Sequence, residues 1–286
     1  MKKLFILVYA AFLLIVVANF FYYTSLYKKQ IKYITTLLDR QVQIVGLSVD
    51  EVNNNFTSDL NKISNPNDLS KFFTDPEIQT RVKENMKLFY SKYQDLITGI
   101  KLYDDKRNEY TLKKDEDTWL EQDFITNVQN GIIYPEKLTY ENKRYNFFLP
   151  LYNENIPVGN IVVALDFTKY FEGLFSAFNL KDYQWQWVVS NESEIVFNNS
   201  ADRAIKYHQI EKIASAVESG AISNMRHTAD IGGKETEIIS SYYSTQLITR
   251  DLGLVFSAAT DFFQKYIILN SLFIVICTLI LIQGII

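Results

Sequence analysis

The stretch that decides the fold is residues 31–63, IKYITTLLDRQVQIVGLSVDEVNNNFTSDLNKI. Apolar side chains recur in it at every third or fourth position: Ile31, Ile34, Leu38, Val42, Val45, Val49, Val52, Phe56, Leu60 and Ile63. Their mean spacing is about 3.6 residues, the period of an α-helix, and such a helix measures about 50 Å. The polar, proline-containing residues 65–68 predict its end near residue 64. Its apolar stripe needs a partner, which is the chain's own sheets, a second copy, or both in succession.

Two hydrophobic runs enclose the rest of the chain. Residues 4–23 read LFILVYAAFLLIVVANFFYY, and residues 266–286 read YIILNSLFIVICTLILIQGII. A helix of about 20 apolar residues is long enough to cross a bilayer, so each run predicts a transmembrane helix. The first run could instead be a cleaved signal peptide, but its aromatic end, residues 20–23, suits the membrane interface and favours an uncleaved anchor.

Charge and cysteine content predict where the central residues lie. The basic head Lys2-Lys3 places residues 1–3 in the cytoplasm and the roughly 240 central residues outside it. Cys277, the single cysteine, lies in the second hydrophobic run, so no disulfide holds the central part, which suits a bacterial inner or plasma membrane better than an animal cell surface. A net charge of −4 without a basic stripe argues against nucleic acid as a partner.

After the stalk helix of residues 24–64, helical and strand patterns alternate twice. In the first half they predict a helix at 76–96, a hairpin at 99–103 and 109–112, a helix at 119–130, and strands at 144–152 and 158–167. In the second half they predict a hairpin at 185–190 and 195–197, a helix at 204–219, and strands at 221–227, 235–243 and 252–259. The expected class is therefore α+β, with two antiparallel-sheet modules at 65–177 and 178–264.

This order of elements resembles the double Cache (dCache) sensor regions of bacterial receptors, over nearly the whole chain. Residues 158–166, VGNIVVALD, are similar to the Gly-Val-x-x-x-x-Asp strand that closes the membrane-distal module of that family. The resemblance implies two PAS-like sheets and ligand binding mainly in the distal module, here 65–177. It also implies a cytoplasmic output, such as a histidine kinase, a methyl-accepting domain or a cyclic-di-nucleotide enzyme.

A second part of the resemblance concerns the ligand. Residues 115–120, DEDTWL, are similar to the segment where amino-acid-binding members carry Arg-x-Trp-Tyr. Trp119 matches the tryptophan, whereas Asp117 stands at the arginine and Leu120 at the tyrosine. Because that arginine clamps a ligand carboxylate in the family, the expected ligand is a small polar organic molecule, and an amine, a neutral polar molecule or a sugar-like compound is expected before a free amino acid.

The candidate ligand contacts lie between the first sheet and residues 119–134. We expect Trp119, Asp117, Tyr134 and Asp166 to line the site. Asp166 ends an apolar strand on the face of the small Ala164, where its carboxylate could receive a ligand ammonium. Two alternatives stay open, because Asp166 could instead cap the helix predicted after it, and Trp119 could serve packing alone.

No catalytic constellation appears in the sequence. It contains no Gly-x-Ser-x-Gly elbow, His-Glu-x-x-His pair or phosphate-cradling loop. The only histidines, His208 and His227, each lack a second ligand at helical spacing, so no metal site is expected. We expect no enzyme activity and no cofactor in these residues.

The start of the long helix suggests self-association. Ile31 follows the first hydrophobic run by about eight residues, which is too close for the chain's own sheets to cover easily. Ile31, Ile34 and Leu38 are therefore expected to contact their copies in a parallel homodimer.

Two functions of different class fit these features. The first is the extracytoplasmic ligand-sensing and signalling region of a bacterial receptor whose output domain, expected to be a histidine kinase, lies beyond Ile286. The second is a stand-alone membrane-anchored binding or interaction protein of the cell envelope.

Overall fold

A computed structural model of the chain describes residues 2–104, 106, 108–113, 137–141, 144–153, 156–178, 183–199 and 205–285. The helices in these ranges are α1 Lys2–Ile63, α2 Pro66–Lys71, α3 Pro76–Lys92, α4 Phe167–Ser176, α5 Ile210–Glu218 and α6 Asp261–Ile285. The strands are β1 Ile97–Asp104, β2 Glu109–Lys113, β3 Lys137–Glu141, β4 Arg144–Asn153, β5 Ile156–Leu165, β6 Gln184–Ser190, β7 Ile195–Asn198, β8 Ile205–Tyr207, β9 Ile222–Ile231, β10 Lys234–Leu247 and β11 Arg250–Ala259. The class is α+β, with a long N-terminal helix and two antiparallel sheets, as the sequence predicts.

The two sheets have related strand orders. The first sheet is five-stranded in the order β2-β1-β5-β4-β3, and the second is six-stranded in the order β7-β6-β11-β10-β9-β8. In each sheet the first hairpin of the module lies at one edge and the later strands complete the centre and the other edge. The described strands of both sheets pair antiparallel throughout.

The apolar stripe of α1 forms one side of the main core. It packs against one face of both sheets and against α3, and nine members of the predicted stripe are buried: Ile31, Ile34, Leu38, Val42, Val45, Val49, Phe56, Leu60 and Ile63. A ladder of polar contacts follows the same helix. Asp39 accepts from Asn224 on β9, Asp50 accepts from Tyr243 on β10, and Asp59 accepts from Lys92 on α3.

Burial of the stripe bears on the prediction about the dimer contacts. Ile31 and Ile34 are each 4% exposed and Leu38 is 0% exposed within a single chain. The second sheet and α6 reach this part of α1, since α6 runs back alongside the helix and Asn19 donates to the carbonyl of Ser271 at 3.2 Å. One chain already buries these three side chains, so their contact with a second copy stays a prediction that this burial does not support.

Most predicted elements are present with shifted ends. The helix predicted at 204–219 is shorter, α5 Ile210–Glu218, and residues 205–207 form the edge strand β8 instead. Gly220 ends this helix with a φ of 71°, the left-handed conformation that glycine adopts without strain. The helix predicted at 119–130 lies outside the described residues.

One described helix, α1, is long and apolar enough to cross a membrane, in its part near the N-terminus. The apolar part of α6, Ile267–Ile280, is shorter. Large apolar side chains on both helices are exposed, among them Leu14 at 70% and Phe273 at 67%.

Gly46 allows β10 to approach α1. A Cβ added at this position would lie 2.2 Å from a ring atom of Tyr243, and the Tyr243 hydroxyl is held at 2.7 Å from Asp50. The ring therefore cannot move away without breaking that hydrogen bond. Overpacking of this kind typically costs about 1–3 kcal/mol.

We expect Gly46→Ala to lower the melting temperature of the purified full chain in detergent, followed by circular dichroism. Gly173→Ala is the matched control, because a Cβ there meets nothing within 4 Å and alanine is the better helix former on α4. The control should melt at or above the wild-type temperature. Equal melting of the two variants would contradict the close packing of α1 on β10.

Candidate ligand-binding site

The first sheet has one apolar and one mixed face. Ile100, Leu102, Ile161 and Val163 point to the α1 side and belong to the main core. Because side chains alternate along a strand, their neighbours point to the other face. That second face is here called the polar face, and it carries Lys101, Tyr103, Phe148, Asn160 and Val162.

Strand register brings these residues together. Tyr103 lies opposite Asn160, and Lys101 lies opposite Val162, which faces Phe148 on the other side. Tyr103, Phe148 and Val162 form a small buried cluster of their own.

Gly159 makes the close approach of β5 to β1 possible. A Cβ added to Gly159 would lie 2.1 Å from the carbonyl oxygen of Tyr103. Glycine is thus required beside Asn160, in the segment that carries the resemblance to the family strand.

Lys101 places a charge on this face. Its side chain is 9% exposed, and its Nζ lies 3.0 Å from Glu109 Oε2 and 4.9 Å from the ring centroid of Tyr103. Burial alone would lower the pKa of Lys101, but hydrogen bonds with Tyr103 and Glu109 outweigh it and the pKa is raised. Burial also raises the pKa of the Tyr103 hydroxyl. At neutral pH the face therefore holds an ammonium paired with a carboxylate beside a protonated phenol.

Asn160 adds an unused acceptor. The residue is 5% exposed, and its Oδ1 has no hydrogen-bond partner among the described residues. A buried carbonyl oxygen without a donor costs about 1–3 kcal/mol. A ligand hydroxyl, amide or ammonium placed here would supply the missing hydrogen bond.

Asp166 caps a helix. Its Oδ1 accepts from the backbone N–H of Lys169 at 2.9 Å, and it precedes the first residue of α4. The carboxylate is half-buried, so a ligand contact by its second oxygen remains a prediction. Trp119, Asp117 and Tyr134 lie outside the described residues.

Sequence patterns did not predict Lys101, Tyr103 or Asn160 as site residues. One feature of the sequence could have indicated them. Lys101 lies between Ile100 and Leu102 in a strand that is buried on both faces, and Tyr103 follows it on the same face. A charged residue in such a strand must be paired, which makes it a candidate for a site.

The second sheet carries a different polar cluster on its own far face. Trp187 Nε1 donates to Ser257 Oγ at 2.9 Å, Ser257 and Ser240 share a hydrogen bond of 2.7 Å, and Ser240 lies 2.7 Å from His227 Nε2. An indole can only donate, so Ser257 accepts from Trp187, while either serine can donate in the hydrogen bond that Ser257 shares with Ser240.

His227 is 4% exposed, and its Nδ1 has no partner among the described residues. Burial lowers the pKa of His227 from 6.5 to about 4. These features indicate a structural histidine. Among the described residues, no group of three or more His, Cys, Asp or Glu side chains could hold a metal ion.

A surface groove of about 340 Å³ lies elsewhere, between α1 and α3. Its lining residues are Asp59, Lys62, Ile63, Asn85, Leu88, Phe89 and Lys92. Hydrogen bonds from Lys62 and Lys92 hold the pKa of Asp59 well below its usual range. The ionic groups of the groove are thus already paired with each other, and the polar face is the better candidate for a ligand.

Similarity to known proteins is found at the level of structure. No protein-family model and no curated protein matches the sequence. The periplasmic sensory domain of the Campylobacter jejuni chemoreceptor Tlp1 matches with a TM-score of 0.52 and 11% identity, over 79% of this chain and 95% of that one. The extracellular domain of vpHK1S-Z8, a candidate histidine kinase, matches with a TM-score of 0.53 and 12% identity, over 82% and 96%.

A third similar structure is the ligand-binding domain of the Pseudomonas aeruginosa amino acid chemoreceptor PctB in complex with L-Arg. Its TM-score is 0.50 at 14% identity, over 84% of this chain and 92% of that one. The chain therefore has the fold of the extracytoplasmic sensory domains of chemoreceptors and histidine kinases. This agrees with the resemblance to double Cache sensor regions.

The neutral histidine makes stability depend on pH. Between pH 6.5 and about 4 the unfolded chain binds a proton at His227 that the folded chain does not, so this contribution is complete above pH 6.5 and is lost as the pH falls. We expect the free energy of unfolding to decrease by up to about 1.4 kcal/mol per pH unit in this range. Chemical denaturation of the full chain between pH 7.5 and 5 measures it.

The controls for this prediction are two glutamine variants. His227→Gln should remove most of the slope between pH 6.5 and 5, whereas His208→Gln, at an exposed position, should keep it. A slope that survives in His227→Gln would assign the pH dependence to other groups.

Proposed function

We propose that this chain is the extracytoplasmic ligand-sensing and signalling region of a bacterial membrane receptor. Residues 4–23 and 266–286 cross the membrane, residues 65–177 form the membrane-distal module and 178–264 the proximal one, and the output domain is cytoplasmic. The observation that carries the ligand-sensing role is the polar face, where the buried Oδ1 of Asn160 lacks a donor beside the Lys101–Glu109 pair. The shared fold with sensory domains supports the same role.

The ligand binds between the polar face and residues 119–134, with Trp119 and Asp166 in contact. We propose an amine, a neutral polar molecule or a sugar-like compound. Asn160 offers a hydrogen-bond acceptor, and Glu109 already balances the charge of Lys101. The described part of the site therefore suits a ligand with a hydrogen-bond donor. The PctB domain, which has the same fold, forms a complex with L-Arg. The α-carboxylate of such an amino acid would need a cationic side chain in the site, and Asp117 does not supply one.

A thermal-shift screen of the full chain against a metabolite panel tests the site. We expect Asn160→Ala to weaken the binding of a hit about five- to a hundredfold, because one buried hydrogen bond is worth about 1–3 kcal/mol. Without ligand, loss of Oδ1 in Asn160→Ala should not lower the melting temperature, because this oxygen has no hydrogen-bond donor among the described residues. Asn61→Ala, at an exposed position on α1, is the matched control.

The variant Asp166→Asn distinguishes a ligand contact by Asp166 from its role as a helix cap. A ligand contact predicts about ten- to a hundredfold weaker binding, whereas a cap alone predicts unchanged binding, because asparagine also caps helices. Hits that bind equally well to Asn160→Ala and to wild type would show that the site lies elsewhere.

Two-pass topology is tested by cysteine labelling in intact cells, in a Cys277→Ser background. We expect a membrane-impermeant maleimide to label cysteines at Asn108 and Asn199 and not at Lys3. Labelling of Lys3→Cys alone would reverse the orientation.

A homodimer remains part of the proposal, through a different face of α1. Tyr33, Leu37, Ile44 and Leu47 recur at spacings of four, seven and three residues, and we call them the outer stripe. Tyr33, Ile44 and Leu47 are 69%, 63% and 62% exposed. If α1 continues into the membrane, the membrane holds two copies parallel, and their outer stripes can meet. A shift of α1 against α6 would then carry the signal.

In membranes, oxidation should crosslink Ile44→Cys or Leu47→Cys between copies in the Cys277→Ser background. Lys32→Cys and Gln43→Cys are exposed beside the outer stripe and should crosslink poorly. Ile34→Cys, inside the core, should not crosslink between copies. Equal crosslinking at all exposed positions would indicate collisions between monomers.

A further inference from the structure

A strained turn joins β10 to β11. Leu247 pairs with Arg250, so the loop contains only Ile248 and Thr249, with φ values of 47° and 64°. Two-residue hairpin loops with positive φ at both positions are normally built from asparagine, aspartate and glycine. A β-branched residue in this region is a genuine outlier, and here two occur in succession.

The surroundings hold the turn in this conformation from the side of α1. Ile248 is 3% exposed and lies in the main core, and its backbone N–H donates to Asn53 Oδ1 at 2.8 Å. One helical turn earlier, Asp50 accepts hydrogen bonds from the hydroxyls of Tyr243 and Thr245. Strained backbone persists only where neighbours over-determine it, and these contacts do so.

The first sheet contacts the same turn from the other side. Arg250 directly follows it, pairs with Glu194 at 2.5 Å, and places its guanidinium 4.8 Å from the ring centroid of Tyr145 on β4. Tyr145 stacks on Phe167 at 4.4 Å, and Phe167 begins α4 immediately after Asp166. The turn thus meets α1, the second sheet and the strand end next to the candidate site.

From the turn, β11 leads through Thr260 into α6 without another loop. Because β11 is hydrogen-bonded to β6 and β10 along its length and leads directly into α6, a change at the turn has a continuous path to the start of α6. We propose that the Ile248–Thr249 turn is a strained coupling element, which relaxes when Asn53 or Arg250 releases it and then shifts β11 and α6 relative to α1. The coupling needs no ligand to be tested, and only its use in signalling rests on the proposed function.

The test compares two substitutions at one position in the full chain. Thr249 is exposed, so Thr249→Gly removes the backbone strain without loss of burial, and Thr249→Ala removes the same side-chain groups while keeping a Cβ. We expect Thr249→Gly to melt higher than Thr249→Ala. The movement is read from the rate of intrachain disulfide formation between Asn19→Cys and Ser271→Cys, in a Cys277→Ser background in membranes.

We expect Thr249→Gly to change that rate by about threefold or more, the size of a modest shift between two states, and Thr249→Ala to leave it unchanged. Arg250→Gln, which removes the stacking on Tyr145, should change the rate in the opposite direction, because it releases the strained turn whereas Thr249→Gly stabilises the turn as it stands. A higher melting temperature with an unchanged rate would overturn the coupling, as would equal rate changes in the glycine and alanine variants. If Thr249→Gly does not fold, Arg250→Gln decides: a changed rate supports the proposal and an unchanged rate overturns it.

Discussion

Burial of one continuous apolar stripe on α1 is the constraint on which the rest of the structure depends. A helix running from Lys2 to Ile63 cannot bury that stripe against a single small sheet, because a strand of ten residues covers only about 33 Å. Two sheets and α3 share the task along its length. The helix therefore acts as a common spine of the main core, to which residues of both sheets belong.

This arrangement leaves the far face of each sheet for other chemistry, and the two sheets use it differently. In the second sheet, a chain of hydrogen bonds links Trp187, Ser257, Ser240 and His227. In the first sheet, the buried Oδ1 of Asn160 has no hydrogen-bond partner among the described residues and lies beside the Lys101–Glu109 pair. An unpaired acceptor beside a buried charged pair makes the first sheet the better candidate for ligand binding.

The modules meet around the tip of the β10–β11 hairpin. Arg250 bridges Glu194 and the ring of Tyr145, while Asn53 holds the turn from α1. Charged and polar contacts of this kind have a defined geometry and can be exchanged, unlike the close-packed apolar contacts along the helix. The proposed sensing role would use both kinds of contact, a rigid spine and a junction that can change.

Sequence alone determined the long helix, the α+β class and most of the helices and strands, including the strand that precedes Asp166, because helical and strand periodicities are local properties of the chain. Only the tertiary structure decided what covers each face. Ile31 and Ile34 looked available for a second copy, yet α6 and the second sheet return to cover them, whereas Ile44 stays exposed. Lys101 and Asn160 are 59 residues apart in sequence and become neighbours through the pairing of β1 with β5. Register and burial are set by contacts between distant segments, and periodicity along one segment carries no information about them.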